Sequence, residues 1–265
     1  CAFQFRIQGP EMKFETEGIV LKQIKTVGGR RMIVLLSARY GKISAGSRIN
    51  EGGRNKSALA MRPFTYGRYQ IFKSRDIYNI DSAETIRSFY GLGEDVDKYM
   101  AASYVLEFTE KIVPYEQPQP AVMKLICDFF SELEKRESRF ETLVLAYQIK
   151  VLKILGIMPE LECCIQCGQK SEPVVFSIPD GGLLCKKCYQ NTANNDDDGL
   201  IYTIKFDIVG ILRYFVKKPL SDFKNLALQK PILDQIEEII KKYISYHLDV
   251  GRLKSEAFIE ESIRR

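Results

Sequence analysis

The stretch Arg31-Met32-Ile33-Val34-Leu35-Leu36, followed after Ser37-Ala38-Arg39 by Tyr40-Gly41-Lys42-Ile43-Ser44-Ala45, decides the fold of the first part of this chain. The first run is continuously apolar and of strand length, and the second alternates behind a glycine turn. Working outward, Gly18-Ile19-Val20-Leu21 leads into an earlier strand and Phe64-Thr65-Tyr66-Gly67-Arg68-Tyr69-Gln70-Ile71-Phe72 reads as a later one. Asp76-Ile77-Tyr78-Asn79-Ile80 follows after a short turn. Five short strands within about seventy residues predict a small barrel of the OB type. In the fourth strand Phe64, Tyr66, Arg68 and Phe72 share one face, and Phe72 is expected in the core. Asn50 to Ser57 reads as a flexible, mostly basic loop between the third and fourth strands.

Beyond about Asp81 the period becomes helical. Val96, Tyr99, Met100, Tyr104, Val105, Phe108 and Ile112 fall on one stripe that stops before Pro114. A second helix is expected from Pro120 and a third from Phe140 to Leu155, with Gly156 as its stop. Helices resume at Phe206–Phe215 and at Ile232 to His247.

Between them lie Cys164-Ile165-Gln166-Cys167-Gly168 and, with 17 residues between Cys167 and Cys185, Cys185-Lys186-Lys187-Cys188. Two residues between paired cysteines let a tight turn aim both thiolates at one point, and two such turns on opposing hairpin tips close a tetrahedral site. Cys164, Cys167, Cys185 and Cys188 are therefore the expected ligands of one structural Zn2+ ion. Gly168 can take the positive φ that turns backbone N–H groups toward the sulfurs. Cys163 adjoins a ligand and could replace it, but Cys164 keeps the two-residue knuckle. Cys127 sits in an apolar run as a small core residue. Seven cysteines is an odd number with no apolar signal segment before them, which points to a reducing cytoplasm and metal binding over disulfides.

The resulting fold class is α+β and multidomain: a five-stranded OB barrel, then an α-helical domain with an inserted four-cysteine zinc ribbon. Residues 1–11, ahead of Met12, read as a leader added in cloning. The barrel is expected over 12–81, the helical domain over 82–160 and 193–265, and the ribbon over 161–192.

A net charge of +5 conceals an asymmetry. From Lys22 to Arg75 there are 13 Lys and Arg against Glu51 alone, leaving 26 bases and 33 acids elsewhere. Such an imbalance over about fifty residues exceeds what solubility requires and suits a polyanion. Candidate phosphate contacts are Arg30, Arg31, Lys42, Arg48, Arg54, Lys56, Arg62 and Arg68. Tyr40, Tyr66 and Tyr69 are candidate stacking partners, since bases held on aromatic rings with phosphates on Lys and Arg is how strands are bound without sequence preference.

Other classes find little support. His247 is the one histidine and lies late in a terminal helix, where it reads as a surface or capping residue, so no histidine-based triad can be built. There is no P-loop and no GxGxxG, and Gly91-Leu92-Gly93 reads as a helix-entry linker. Asp95 and Asp97 read as first-turn acids favoured by the helix dipole. No run of 18 apolar residues spans a membrane. The expected protein is not an enzyme. A zinc-ribbon RNA-binding or transcription factor using the same barrel is the alternative to DNA binding, and a zinc-containing glycosylase or nuclease would need acids that the basic segment lacks.

Gly18-Ile19-Val20-Leu21-Lys22, Arg31–Leu36, Tyr40–Ala45 and Pro63-Phe64 occur in the order found in the RecO family of bacterial DNA repair proteins. Tyr104-Val105-Leu106-Glu107-Phe108 and Leu155-Gly156-Ile157-Met158-Pro159, leading into the cysteine pairs, continue a resemblance that covers the chain after Met12. The resemblance implies a recombination mediator without turnover that binds single- and double-stranded DNA and anneals complementary strands. It also implies action with RecR in loading RecA onto strands coated by single-strand-binding protein, whose acidic C-terminal tail is an expected ligand of the helical domain. Lys217 and Lys218, after Tyr214-Phe215-Val216, are one candidate rim for that tail. The basic loop usual in the family is diluted here by Glu51 and Gly52-Gly53. A cytoplasmic, nucleoid-associated location follows from the same likeness.

Overall fold

The computed structural model describes residues 12–25, 31–47, 49, 56–74, 76–170, 172–192, 199–205, 207–224, 226–251 and 253–256. Residues 1–11 and most of the 50–57 loop lie outside them. The chain forms two compact units that divide between Glu134 and Lys135.

In the first unit, β1 (Met12–Lys25), β2 (Arg31–Ser37), β3 (Gly41–Ser47), β4 (Thr65–Ser74) and β5 (Ile77–Ser88) close into a barrel in the order β1-β2-β3-β5-β4. The first strand serves two neighbours. Its early residues pair with β4 and its later ones with β2, and Gly18 and Ile19 pair with both. A side chain at Gly18 would lie 2.7 Å from the Leu36 carbonyl oxygen, so only glycine allows this three-strand crossing. A bulge between Val20 and Lys22 then bends the strand around the barrel. Closure comes from β3 and β5, which run parallel through Ala45↔Tyr78, Gly46↔Asn79 and Ser47↔Ile80. The fifth strand runs on to Ser88 rather than stopping near residue 81.

The interior holds Val20, Ile33, Leu35, Ile43, Ala45, Tyr69, Ile71 and Ile80. Each fully buried aliphatic side chain there contributes about 1.5–3 kcal/mol. A short helix within the expected loop, α1 (Lys56–Ala60), adds Ala60 and then Met61 to this core. Strand alternation on β4 sends Thr65, Gly67, Tyr69 and Ile71 inward and Tyr66, Arg68, Gln70 and Phe72 outward. Phe72 is therefore a half-buried residue of the outer wall and not of the core. Phe64, before the strand and with φ of 63°, turns instead against Tyr99 and Phe130.

A 3-10 turn, Tyr90–Glu94, leads to α2 (Val96–Ile112), whose N-cap Asp95 accepts from the Lys98 N–H at 3.0 Å. The expected stripe is only partly covered: Tyr104, Val105 and Phe108 are buried, whereas Val96 is 74 % and Tyr99 47 % exposed. After α2, Tyr115-Glu116-Gln117 straps the start of β3. Lys42 and Tyr115 form a parallel bridge and Glu116 N–H donates to the Lys42 carbonyl at 3.0 Å. The Lys42 ammonium donates to the Glu110 carbonyl and lies 4.2 Å from the Tyr115 ring centre. Burial holds its pKa below the usual lysine range, with Glu110 pulling the other way. Gly41 has φ of 70°, and a β-carbon there would lie 2.2 Å from the Gln117 carbonyl oxygen. The unit ends with α3 (Pro120–Glu134).

The second unit begins with α4 (Phe140–Ile154), buried on nearly all sides from Thr142 to Leu152, which Gly156 ends with φ of 72°. Then come β6 (Pro173–Ser177), β7 (Gly182–Cys185), α5 (Lys186–Thr192), β8 (Ile201–Thr203), α6 (Ile208–Lys217) and α7 (Lys230–His247). The strands form a sheet in the order β7-β6-β8. His247 is a tie between elements: its Nε2 lies 2.7 Å from the Ile178 carbonyl, and its ring packs on Tyr243 at 4.5 Å. No helix among the described residues is long and apolar enough to cross a membrane.

Gly41→Ala should lower stability by about 2 kcal/mol or more, read as an earlier denaturant midpoint, because it adds strain at positive φ to a collision with backbone. Lys42→Ala should also destabilise, by about 1–3 kcal/mol, while leaving the salt dependence of any nucleic-acid binding unchanged. A third expectation concerns pH. Burial, then Asp234 and Glu141, push Glu237 from 4.5 up to about 7, against Lys230 and Lys241. Below pH 4.5 the carboxyl is protonated folded or unfolded and costs nothing. Between pH 4.5 and 7 the unfolded chain ionises first, so stability falls, and above pH 7 the full penalty persists. Glu237→Gln should thus stabilise above pH 7 by about 1 kcal/mol, the size left after screening of this half-buried group, and change little below pH 4.

Candidate functional site

The described cysteines Cys127, Cys163, Cys164, Cys167, Cys185 and Cys188 form no disulfide. The thiol sulfurs of Cys164, Cys167, Cys185 and Cys188 all lie within 4.8 Å of one another. The first pair sits on a loop whose turn is made by Gly168, at φ of 71°, with Gly168 N–H donating to the Cys164 carbonyl at 2.8 Å. The second pair differs from the hairpin tip expected: Cys185 ends β7 and Cys188 lies in the first turn of α5. A helical turn spans the same two residues as a knuckle, so the spacing alone does not separate the two geometries. The Cys185 N–H lies 3.4 Å from the Cys164 sulfur, and Cys167 and Cys185 sulfurs are 3.9 Å apart. Tetrahedral thiolate binding at about 2.3 Å puts sulfurs about 3.8 Å apart. The donor set fits a thiophilic divalent ion.

The electrostatics agree. Burial works to raise the Cys164 pKa, but the N–H groups of Cys185, Cys167 and Gln166 and the Cys167 thiol bring it down to about 6. Cys188 is pushed up to about 12 by burial and by sharing protons with Cys167, Cys185 and Cys164. One thiolate forms readily and resists a second, a conflict that a bound cation would relieve. Val175 and Leu184 pack behind the cluster, with Val174, Tyr189 and Ile201 around it. Cys163 is outside the group of four; its N–H donates to Glu160 at 3.2 Å, and burial and the Glu160 carboxylate raise its pKa. Cys127 is half-buried, and burial pushes it up to about 11.

The basic candidates divide by place. Arg30, Arg48 and Arg54 lie outside the described residues, as does the Lys56 side chain. Arg31, on β2, and Arg62 are half-buried. Arg68 is exposed but ion-paired to Glu17 at 3.3 Å and Glu15 at 3.6 Å across the β1–β4 ladder. Lys42 is a correction: at 4 % exposure its ammonium serves the strap and cannot face a phosphate. Tyr69 is another, fully buried with its hydroxyl donating to the Ala60 carbonyl at 2.6 Å. Tyr66 donates to Glu17, which lowers the Glu17 pKa, while burial and Glu17 raise that of Tyr66. Tyr40 is half-buried, its ring 4.0 Å from that of Phe14. Lys217 pairs with Glu162 at 3.4 Å and Lys218 is exposed.

The ladder register brings several basic segments toward one rim. Arg31 pairs with Ser47, Ser47 with Ile80 and Ile80 with Ile71. The ends of the β1–β2 hairpin, the exit of β3 and the start of β5 thus fall along one row. Sequence reasoning named Tyr40 but missed Phe14, Tyr78 and Lys73. Phe14, Tyr40 and Tyr78 are partly buried and pack against the barrel core, and Lys73 lies 4.6 Å from the Tyr78 ring centre while pairing with Glu116 at 3.7 Å. Nothing in the linear pattern marks Phe14 as a neighbour of Tyr40 and Tyr78. Lys25 and Arg39, exposed and without ion pairs among the described residues, were also passed over.

A closed OB barrel with basic hairpin ends, followed by helices and a four-thiol cluster, defines a multidomain protein of the OB-fold class. Residues 12–89 match the family described as recombination protein O N terminal, and residues 93–257 the recombination protein O C terminal. Among relatives, DNA repair protein RecO of Alkaliphilus metalliredigens is 30% identical over 244 residues, covering 90% of this chain and 95% of its own length. That of Bacillus subtilis is 25% identical over 250 residues, with 94% and 95% covered. The chain belongs to the RecO family, and its role lies in DNA repair and recombination. That family is one of repair mediators and not a known class of enzymes.

Serine at Cys164, Cys167, Cys185 or Cys188 should release a bound ion to a chelating dye and lower stability by about 3 kcal/mol or more, since metal binding is part of folding. Cys163→Ser should do neither. Metal analysis of freshly purified, reduced wild-type protein should give one ion per chain.

Proposed function

We propose that this chain is a DNA-binding recombination mediator that binds single- and double-stranded DNA, anneals complementary strands and, with RecR, assists RecA loading. The observation that carries the reading is the segment Lys22–Arg75, with 13 bases against Glu51, folded as the barrel of a RecO-family chain. Phosphate contacts from Lys and Arg hold strands firmly at low salt and exchange readily, as a mediator requires. A surface of that charge also screens the repulsion between two strands during annealing. Tyr40 with Phe14 is the stacking pair best supported, because the two rings lie 4.0 Å apart and both are only partly buried against the barrel core.

In the same reading the barrel, expected over 12–81 and continued by β5 to Ser88, is the nucleic-acid domain, and the helical parts after it, up to residue 160 and over 193–265, serve protein partners. The ribbon, 161–192, holds one Zn2+ through Cys164, Cys167, Cys185 and Cys188. Zinc supplies a closed cross-link between the Cys164 loop and the β7–α5 junction, with no position left for a substrate. The protein acts without catalytic turnover, in the cytoplasm and at the nucleoid. The tail of single-strand-binding protein is a ligand of the helical part, with Lys217 and Lys218 as a candidate rim.

With about six phosphate contacts, log K for single-stranded DNA should fall against log salt with a slope near −4, from roughly 0.7 per contact. Arg30→Ala with Arg31→Ala should flatten that slope by about one unit and weaken binding similarly across sequences. Tyr40→Ala should cost about 1–3 kcal/mol with little change in slope. The protein should anneal complementary DNA coated with single-strand-binding protein, with RecR altering the rate. Salt-insensitive binding, preference for RNA, or cleavage of the DNA would each replace this reading.

A further inference from the structure

The chain enters the thiol cluster through Glu160-Leu161-Glu162-Cys163, and two side chains hold that approach. One oxygen of the Glu160 carboxylate, Oε1, accepts from the Glu162 N–H at 2.6 Å and from the Cys163 N–H at 3.2 Å. Arg213, in the middle of α6, donates through Nε to the Leu161 carbonyl at 2.8 Å and through Nη2 to the Glu162 carbonyl at 3.4 Å. The peptide groups joining Leu161 to Glu162 and Glu162 to Cys163 are thus held at all four polar atoms. Glu160 takes both N–H groups and Arg213 both carbonyls. A guanidinium suits the second task, because its donors form a fixed fork. The backbone of Glu160 is itself tied to the strand that carries the second cysteine pair. Its N–H donates to the Gly181 carbonyl at 2.9 Å, its carbonyl accepts from Leu183 N–H at 3.2 Å, and Glu160 and Gly182 form a parallel bridge. A β-carbon at Gly182 would lie 2.7 Å from the Glu160 carbonyl oxygen, so glycine is what allows the approach. The strand β7 starts at Gly182 and ends at Cys185. Glu160 therefore stands at one end of a strand whose other end bears a thiol of the cluster, while its carboxylate holds the turn that leads to Cys164.

We propose that Glu160 and Arg213 are positioning residues for the metal site, holding the approach to Cys164 so that its sulfur faces those of Cys185 and Cys188 before an ion binds. The proposal rests on the reading that the four thiols hold one ion. Backbone freedom left in the approach would be lost on binding and would weaken it, whereas a turn already fixed has none to lose. Groups that orient metal ligands in this way are commonly worth about 10–100-fold in affinity. Charge does not account for the place of Glu160. Four thiolates around a divalent ion carry a net negative charge, so a nearby carboxylate disfavours the loaded site and only its acceptor geometry favours it. The Glu162 side chain has a separate role. Its carboxylate pairs at the surface with Arg213 at 3.7 Å and Lys217 at 3.4 Å, and it holds neither peptide group. Such exposed pairs contribute little.

The test is competition of a chelating dye for Zn2+ held by the full chain, with the visible absorption of the cobalt-substituted protein reporting the geometry of the four sulfurs. Glu160→Ala and Arg213→Ala should each weaken binding about 10–100-fold and alter the cobalt spectrum. Glu160→Gln keeps the acceptor oxygen and should restore binding to the wild-type level or above it. Arg213→Lys keeps the charge without the fork and should recover little of the loss. Glu162→Gln should leave affinity and spectrum unchanged. So should Tyr243→Phe, which removes a hydroxyl donated to the Ile157 carbonyl at 3.0 Å elsewhere in the same unit. Wild-type affinity in either alanine variant, full recovery by Arg213→Lys, or a comparable loss in Glu160→Gln, Glu162→Gln or Tyr243→Phe would overturn the proposal while the ion site stands. A wild-type chain that takes up no metal would overturn the reading beneath it, and the proposal with it.

Discussion

The parallel pairing of Ala45–Ser47 with Tyr78–Ile80 closes the barrel, and the rest of the first unit depends on it. Closure gives every strand an inside and an outside, and with period 2 that decides the role of each side chain. Tyr69 and Ile71 fall inside; Tyr66 and Arg68 fall outside and meet Glu17. The same stagger lines up Arg31, Ser47 and Ile80, so hairpin ends distant in sequence approach one rim. An open sheet with the same strands would keep the charges but scatter them.

Charge in this barrel is arranged as much by pairing as by number. Lys22 faces Glu110, Arg68 faces Glu15 and Glu17, and Lys73 faces Glu116. Such exposed pairs contribute little to stability, but they neutralise part of the wall. Lys42 is a different case. Its ammonium is buried under the strap at Tyr115–Gln117, and with Gly41 it joins the start of β3 to the end of α2. The net effect is a wall whose bases are partly compensated by acids.

The thiol cluster organises the second unit in a similar way. Cys164 lies on a loop, Cys185 at a strand end and Cys188 in a helical turn, so an ion there would tie three kinds of backbone together. The apolar backing of Val175 and Leu184 keeps the sulfurs apart from water on one side. Ile201, which packs against that cluster, also opens onto a cleft beside α7, so the ribbon and that cleft share a wall.

Much of this was legible in the sequence because it rests on local rules. Apolar runs bounded by glycine marked the strands, the 3.6 period with Pro120 and Gly156 marked the helices, and two Cys-x-x-Cys pairs marked the thiol cluster. The outward position of Phe72 and the inward position of Tyr69 were not legible, because alternation names two faces without saying which one is buried. That choice came from barrel closure. Lys42 read as one base among thirteen, and only the return of residues 115–117 across β3 made it a buried anchor. The helix at Cys188 and the strand Ile201–Thr203 were likewise silent, since a segment of three to seven residues has too little pattern of its own and is held by what packs on it. Local propensity and spacing determined the elements and the ligand set; long-range pairing decided which side chains were left to meet a partner.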